Sequence, residues 1–179
     1  MTDPIKLIGN VASPYTRKMV AYLRYKRIPY EVIWGQPEDI LISMNIEAPK
    51  PILLPVFILD RDGQATAVTD STPLIREFED KYPDRSVLPN NPALNFINFV
   101  LEDFGDEWCT KFMFHYRWHF DEDADNAGTI LPLGINSNLK DDELAFFKEH
   151  FAKRQIDRLW VVGSNNAVSY THLTLPTNV

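Results

Sequence analysis

Apolar and polar residues follow two different periods along the first half of the chain. Residues 5–9 form a short apolar run that predicts a buried strand. Residues 14–27 predict a helix lying on a sheet, because one face carries apolar side chains: Met19, Val20 and Leu23. Residues 30–34 alternate and are rich in β-formers, so they predict a second strand. Residues 37–47 are ambiguous, and we interpret them as a short helix.

The following segments predict a hairpin and a further helix. Residues 56–59 and 65–69 flank the turn signal Asp62-Gly63, which is typical of a β-hairpin. Residues 72–81 predict a helix with an apolar face made of Leu74, Ile75 and Phe78. The predicted order is βαβα followed by ββα. This is the thioredoxin-like order, and it implies an α/β domain with a mixed four-stranded sheet.

A segment rich in proline and asparagine divides the chain. Residues 84–92 read Asp-Arg-Ser-Val-Leu-Pro-Asn-Asn-Pro and follow Tyr82-Pro83, a composition typical of a linker. We therefore predict an α/β domain over residues 1–83. An all-helical second domain is predicted over residues 93–166.

Beyond the linker, the apolar positions recur with helical spacing. Residues 93–118 predict one long helix, with Gly105 as the place where a kink would fall. Residues 121–139 are predicted as a loop, and residues 141–161 as another helix. The apolar faces of these two helices are expected to be partly uncovered in this chain: Leu101, Phe104, Trp108, Phe147, Phe151 and Leu159.

Composition excludes several classes of protein. The 179 residues carry a net charge of −7, which is not the charge of a nucleic-acid binder and gives no attraction to anionic membranes. No apolar run is long enough for a membrane span, and the N-terminus lacks the pattern of a signal peptide. The single cysteine, Cys109, excludes an internal disulfide and fits a reducing cytoplasm. It is expected in the core of the second domain.

Two segments resemble metal sites but are incomplete. His115 and His119 are spaced to lie on one face of a helix, yet no third ligand is evident, so a metal is disfavoured. Residues 121–126 resemble the start of a calcium loop. Asn126 stands where that loop needs glycine and Pro132 where it needs glutamate, so we interpret the segment as a solvated acidic loop. No metal is expected.

Ser13 is the first candidate for chemistry. It follows the first predicted strand and precedes Pro14, which is favoured in the first turn of a helix. A serine here can cap the helix, and the free N–H groups at such a helix start can also receive an anion. A hydroxyl aimed at a bound thiol would stabilise the thiolate and lower the pKa of that thiol. From the residues alone, capping is the favoured role. No histidine lies near Ser13 in the sequence to serve as a base, which argues against a serine hydrolase.

Two further segments complete the candidate site. At Asp70-Ser71, a helix start could bind a carboxylate through its N–H groups and the Ser71 hydroxyl, with Asp70 suited to an ammonium group. The alternative is that Asp70 or Ser71 only caps the helix. Leu54-Pro55 stands at the mouth of a strand, where proline is ordinarily tolerated.

These three segments follow one another in the chain as Ser13, Leu54-Pro55 and Asp70-Ser71. In that order across residues 5–83 they resemble the N-terminal domain of serine-type glutathione transferases. The resemblance implies that Leu54-Pro55 is a cis peptide bond, and that the backbone of Leu54 pairs with glutathione as with an added strand. It implies that Asp70 and Ser71 hold the γ-glutamyl end, and that Ser13 activates the thiol. Members of the family often carry a lysine two residues before this proline. Leu53 stands there instead, and Lys50 is the nearest lysine.

The resemblance implies a cytoplasmic enzyme that conjugates glutathione, as co-substrate, to a small apolar electrophile. The family usually forms dimers, so a homodimer is allowed. Two alternatives stay open. One is a non-catalytic glutathione-binding or interaction module on the same fold, since a fold does not determine a function. The other is a glutathione-dependent isomerase or dehalogenase.

The final segment differs in character from the rest of the chain. Residues 167–179 read Ala-Val-Ser-Tyr-Thr-His-Leu-Thr-Leu-Pro-Thr-Asn-Val, which resembles translated adapter or cloning read-through. The alternative is an ordinary C-terminal strand, because residues 168–175 alternate weakly. We interpret the segment as a non-native tail. The helical domain is then expected to be truncated.

Overall fold

The computed structural model describes residues 3–164. Contacts divide the chain into two compact units, Met1–Asn98 and Phe99–Val179, and each is described by itself. The predicted tail, residues 167–179, lies outside the described residues. Among the described residues, no helix is both long and apolar enough to cross a membrane.

The first unit contains a mixed four-stranded sheet with helices in the predicted order. Its strands lie in the order β2-β1-β3-β4, with β1 parallel to β2 and the other neighbours antiparallel. The elements are β1 (Ile5–Gly9), α1 (Pro14–Lys26), β2 (Tyr30–Trp34), α2 (Pro37–Ser43), β3 (Val56–Arg61), β4 (Gln64–Val68) and α3 (Ser71–Lys81). The predicted thioredoxin-like domain is therefore confirmed, as is the helical region that follows it.

Two hydrophobic clusters cover the two faces of this sheet. The larger one joins the sheet to α1 and α3 through Met19, Leu23, Phe57 and Phe78, all of which are almost completely buried. The smaller one joins it to α2 through Leu41. Alternation along β1 explains the division, because Leu7 and Ile8 point to opposite faces and belong to different clusters. The sheet is thereby fixed on both faces, which holds its strand ends in place.

A buried ion pair ties the end of α3 to α1. The Lys26 ammonium lies 2.9 Å from the Glu79 carboxylate, and their side chains are 0% and 5% exposed. The Tyr22 hydroxyl donates to the same carboxylate at 2.8 Å. Its second oxygen accepts from the Ser86 hydroxyl at 2.5 Å and from the Val87 N–H at 3.1 Å. The predicted linker is thus held by its first residues against the α/β unit.

The second unit is helical in the part that the structure describes. α4 (Pro92–Asp103) begins in the first unit and continues into a π-helical stretch, Phe104–Cys109, which contains Gly105. The remaining elements are α5 (Thr110–Trp118), α6 (Asp121–Ile135), α7 (Asp141–Ile156) and a 3₁₀ turn, Leu159–Val162. Trp118, Ala124, Ala127 and Leu159 form the buried core of this unit.

The predicted loop over residues 121–139 is wrong, because most of it forms α6. Three acidic residues occupy the first turn of α6, where the positive end of the helix dipole stabilises negative charge: Asp121, Glu122 and Asp123. Small residues let α6 approach α7 closely, since a Cβ added at Gly128 would lie 3.0 Å from Lys148 Cγ. Gly128 and Pro132 disfavour a helix in isolation, yet both are accommodated inside α6.

The burial of other residues in this region differs in part from expectation. Cys109 was expected in the core and is exposed. It lies on the π-helical stretch, none of whose residues is buried. The apolar face of the long helical segment is uncovered as expected, with Leu101 63% and Trp108 53% exposed. Leu159 was expected to be uncovered and is buried instead.

Candidate functional site

The register of the sheet brings the three predicted site segments to the same end of the sheet. β1 ends at Gly9, and its neighbour Ile8 pairs with Val56, the first residue of the antiparallel strand β3. Phe57 pairs in turn with Val68, the last residue of β4. The chain therefore carries Ser13, Leu54 and Ser71 just beyond the sheet on one side, although they are far apart in sequence.

Ser13 caps α1. Its backbone is extended (φ −78°, ψ 121°), and its Oγ accepts the Thr16 N–H at 3.2 Å. Its own N–H donates to the Asn10 carbonyl at 3.0 Å, and its carbonyl accepts the Arg17 N–H at 3.1 Å. A hydroxyl that accepts a capping bond keeps its O–H as a donor. The capping role is therefore confirmed, and it is compatible with donation to a bound thiol.

The Asp70-Ser71 segment forms the start of α3. Asp70 caps the helix, since its Oδ1 accepts the Thr72 N–H at 3.3 Å. Its backbone has φ +80°, which is uncommon for a residue other than glycine. The Asp70 side chain is exposed, and Ser71 is buried. This helix start thus places an exposed carboxylate beside the positive end of the α3 dipole.

Lys18 belongs to this site and was missed by the sequence analysis. Its ammonium donates to the Ser71 Oγ at 3.1 Å, which links the second turn of α1 to the first turn of α3. The sequence only places Lys18 on the polar side of α1, and a partner 53 residues away becomes evident only from the fold. The start of α3 therefore carries a cation as well as the carboxylate of Asp70.

The third segment precedes β3. The Leu54–Pro55 peptide bond is cis, which confirms the prediction, and Lys50–Pro51 is also cis. Leu54 is half-buried and Pro55 is buried. Leu53 and Lys50 are exposed, so neither is held by the core.

The histidine pair lies on α5 and its end. The ring centroids of His115 and His119 are 4.5 Å apart and nearly parallel, and His115 is buried. Burial, with a contribution from His119, lowers the pKa of His115, which favours the neutral ring at pH 7. Within residues 3–164, no group of three or more potential ligands among His, Cys, Asp and Glu is placed to hold a metal ion.

Comparisons with known proteins agree with the fold of the first unit. The family model of the glutathione S-transferase N-terminal domain matches residues 7–86. A glutathione S-transferase from Methylobacterium radiotolerans, solved with glutathione sulfonate, has a similar structure (TM-score 0.53, 21% identity, covering 89% of this chain and 65% of that chain). This chain therefore spans less than two thirds of that protein's length. No curated protein matches the sequence.

Two other solved structures are similar over most of this chain. One is a beta-etherase from Sphingobium sp. strain SYK-6 (TM-score 0.52, 17% identity, covering 95% of this chain and 72% of that chain). The other is glutathione transferase Omega 1C from Trametes versicolor (TM-score 0.52, 10% identity, covering 95% of this chain and 91% of that chain). At these identities the likeness shows the fold alone.

Proposed function

Residues 7–86 of this chain belong to the glutathione S-transferase N-terminal domain family, and from this premise we propose that the chain binds glutathione and activates its thiol. The conjugation of that thiol to a small apolar electrophile completes the proposed reaction. The observation that carries the proposal is the bond from Lys18 to Ser71 at 3.1 Å, at the same end of the sheet as Ser13. This arrangement supplies charge for one end of the tripeptide and a hydroxyl for its sulfur.

The γ-glutamyl end of glutathione carries one carboxylate and one ammonium group. In our proposal the carboxylate lies at the start of α3, where the positive end of the helix dipole, the Ser71 hydroxyl and the Lys18 cation favour negative charge. The ammonium pairs with the exposed carboxylate of Asp70. The positive φ of Asp70 supports this assignment, because such conformations concentrate at ligand sites.

The remaining part of glutathione is extended in the proposal. Leu54 precedes β3, and its backbone N–H and C=O pair with the middle of the tripeptide as with an added strand. The thiol then lies near Ser13, whose O–H donates to the thiolate while its Oγ accepts the Thr16 N–H. Glutathione is a co-substrate here, no metal is required, and a cytoplasmic homodimer belongs to the same proposal.

The test is calorimetric titration of glutathione into the chain, followed by a conjugation assay with a small electrophile. Binding together with a lowered thiol pKa and conjugation is the expected result. Binding without any lowering of the thiol pKa would instead identify a non-catalytic glutathione-binding module. Absence of glutathione binding would refute the proposal.

Asp70→Asn is expected to raise the dissociation constant of glutathione about ten-fold, because it removes the charge that pairs with the ammonium group. Asparagine caps helices as well as aspartate does, so α3 should keep its stability. The thiol pKa of bound glutathione should stay the same. Calorimetry measures the dissociation constant, and a thermal melt measures the stability.

The matched control is Asp80→Asn. Asp80 is an exposed residue of the same helix, and this variant removes an equal charge near the other end. It should leave the dissociation constant unchanged. If both variants weakened binding equally, the effect would reflect net charge, and the role of Asp70 would be disproved.

A further inference from the structure

The loop that carries Ser13 contains a buried polar residue, Asn10, which the proposed function does not use. Asn10 follows β1 directly and is 7% exposed. Its side-chain Oδ1 accepts the Ala12 N–H at 2.9 Å, which fixes the turn between β1 and α1. A buried amide that braces a functional loop is a candidate for controlling the geometry of that loop.

Three backbone N–H groups close a ring of hydrogen bonds around Ser13. The Asn10 N–H donates to Thr16 Oγ1 at 3.4 Å. The Thr16 N–H donates to Ser13 Oγ at 3.2 Å, and the Ser13 N–H returns to the Asn10 carbonyl at 3.0 Å. Each residue is thus both donor and acceptor. The position of the Ser13 oxygen depends on the other two residues.

Packing prevents this ring from shifting as a whole. Thr16 is completely buried, and a Cβ added at Gly9 would lie only 2.6 Å from Thr16 Cγ2. The helix start is therefore pressed against the end of β1. The turn at residues 11–12 lies outside this packed contact, and the Asn10 side chain is what holds it, through the bond from the Ala12 N–H.

We propose that Asn10 is a positioning residue that aims the Ser13 hydroxyl at the thiol of glutathione. This inference rests on the proposed function, because it concerns the same site. Asn10 does not touch the thiol in this proposal. It acts through Ser13, because its side chain holds the turn at Ala12, and this turn keeps the Asn10 N–H and carbonyl in the ring that sets the Ser13 oxygen.

Asn10→Ala is expected to raise the thiol pKa of bound glutathione by about 0.5–1, the effect of weakening one hydrogen bond. The affinity for glutathione should change less than two-fold, since the residues proposed for the γ-glutamyl end remain. Asn10→Ser should raise the thiol pKa by much less, because a serine hydroxyl can make the same turn bond, although more weakly. Titration of thiolate absorbance in the complex measures the pKa.

The decisive comparison is the double variant with Ser13→Ala. If Asn10 acts through Ser13, Asn10→Ala should add no further rise in thiol pKa once the hydroxyl is gone. Additive effects in the two variants would overturn the inference. Thr16→Val keeps the shape of the side chain but removes the acceptor of the Asn10 N–H, so it opens the same ring at another bond. It should also raise the thiol pKa, and it serves if Asn10→Ala fails to fold.

The outcomes separate this inference from the proposed function. A raised thiol pKa in Ser13→Ala, with no change in Asn10→Ala or Thr16→Val, would refute the positioning role alone. An unchanged thiol pKa in Ser13→Ala would refute the activation that Asn10 is proposed to support. Absence of glutathione binding by the unaltered chain would refute both.

Discussion

Glu79→Ala is expected to destabilise the first unit by about 3–5 kcal/mol, because it leaves a buried cation without its partner. The Lys26 side chain is completely buried, and the carboxylate of Glu79 is its ion-pair partner at 2.9 Å. The variant also removes the acceptor of the Tyr22 hydroxyl and of the Val87 N–H. Hydrogen exchange of the amides in β1 and β3 measures the opening of this unit separately from the rest of the chain.

An ion pair on the same helix provides the control. Glu77 accepts two hydrogen bonds from Arg61, and these side chains are 35% and 43% exposed. Glu77→Ala should cost less than about 1 kcal/mol, because exposed pairs contribute little. Equal costs at the two positions would contradict the view that burial determines the effect.

The pH dependence of stability follows from the same carboxylate. Burial raises the pKa of Glu79, but the hydrogen bonds from Lys26, Ser86 and Tyr22 outweigh it, so the net pKa is lowered. A lowered pKa in the folded state gives stability that is complete above the pKa of the unfolded state. That stability is lost as the pH falls through the folded pKa. Glu79→Gln should remove this part of the acid-induced loss of stability.

Ser13→Ala is expected to lower the rate of conjugation about ten- to a hundred-fold. This is the loss from one hydrogen bond to a charged group, here the proposed bond to the thiolate. The bond is stronger to the reactive thiolate than to the thiol, so catalysis should suffer more than glutathione binding. The thiol pKa should rise toward the value of a free thiol, about 8.5. Turnover and thiolate absorbance as a function of pH measure both effects.

The control for Ser13→Ala must preserve the cap of α1. Loss of the capping bond to Thr16 costs about 0.5–2 kcal/mol of stability on its own. Ser13→Thr keeps both a hydroxyl and a capping oxygen, so it should retain most of the activity and stability. An unchanged thiol pKa in Ser13→Ala would remove Ser13 from the reaction and favour a binding module.

The sequence predicted the first unit well because most of its elements have a clear hydrophobic pattern. The apolar run of β1 contributes side chains to both clusters, and the apolar face of α1 packs in the larger one. The predicted loop at residues 121–139 was wrong for a physical reason. Acidic residues, Gly128 and Pro132 disfavour a helix in isolation, whereas in the structure helix-end electrostatics and close packing against α7 compensate for them.

The candidate site was predictable only in part. Proline and serine at helix starts are local signals, so Ser13 and Ser71 could be identified from a few neighbouring residues. Their functional roles stay predictions. The contact between Lys18 and Ser71 depends on how α1 and α3 pack, and no local pattern encodes it. The burial of Asn10 likewise follows from the fold, since an asparagine after a strand is ordinarily a turn residue.

The hydrogen bonds that Glu79 accepts from Ser86 and Val87 determine where this chain can be cut to study the α/β unit separately. A fragment that ends at Pro83, the predicted limit of the α/β domain, would lose both of these donors. The carboxylate would then keep Lys26 and Tyr22 but would become accessible to water from the open side. A fragment for expression should therefore extend past Leu88. A protease that cleaves between residues 83 and 86 should loosen the α/β unit rather than release it intact.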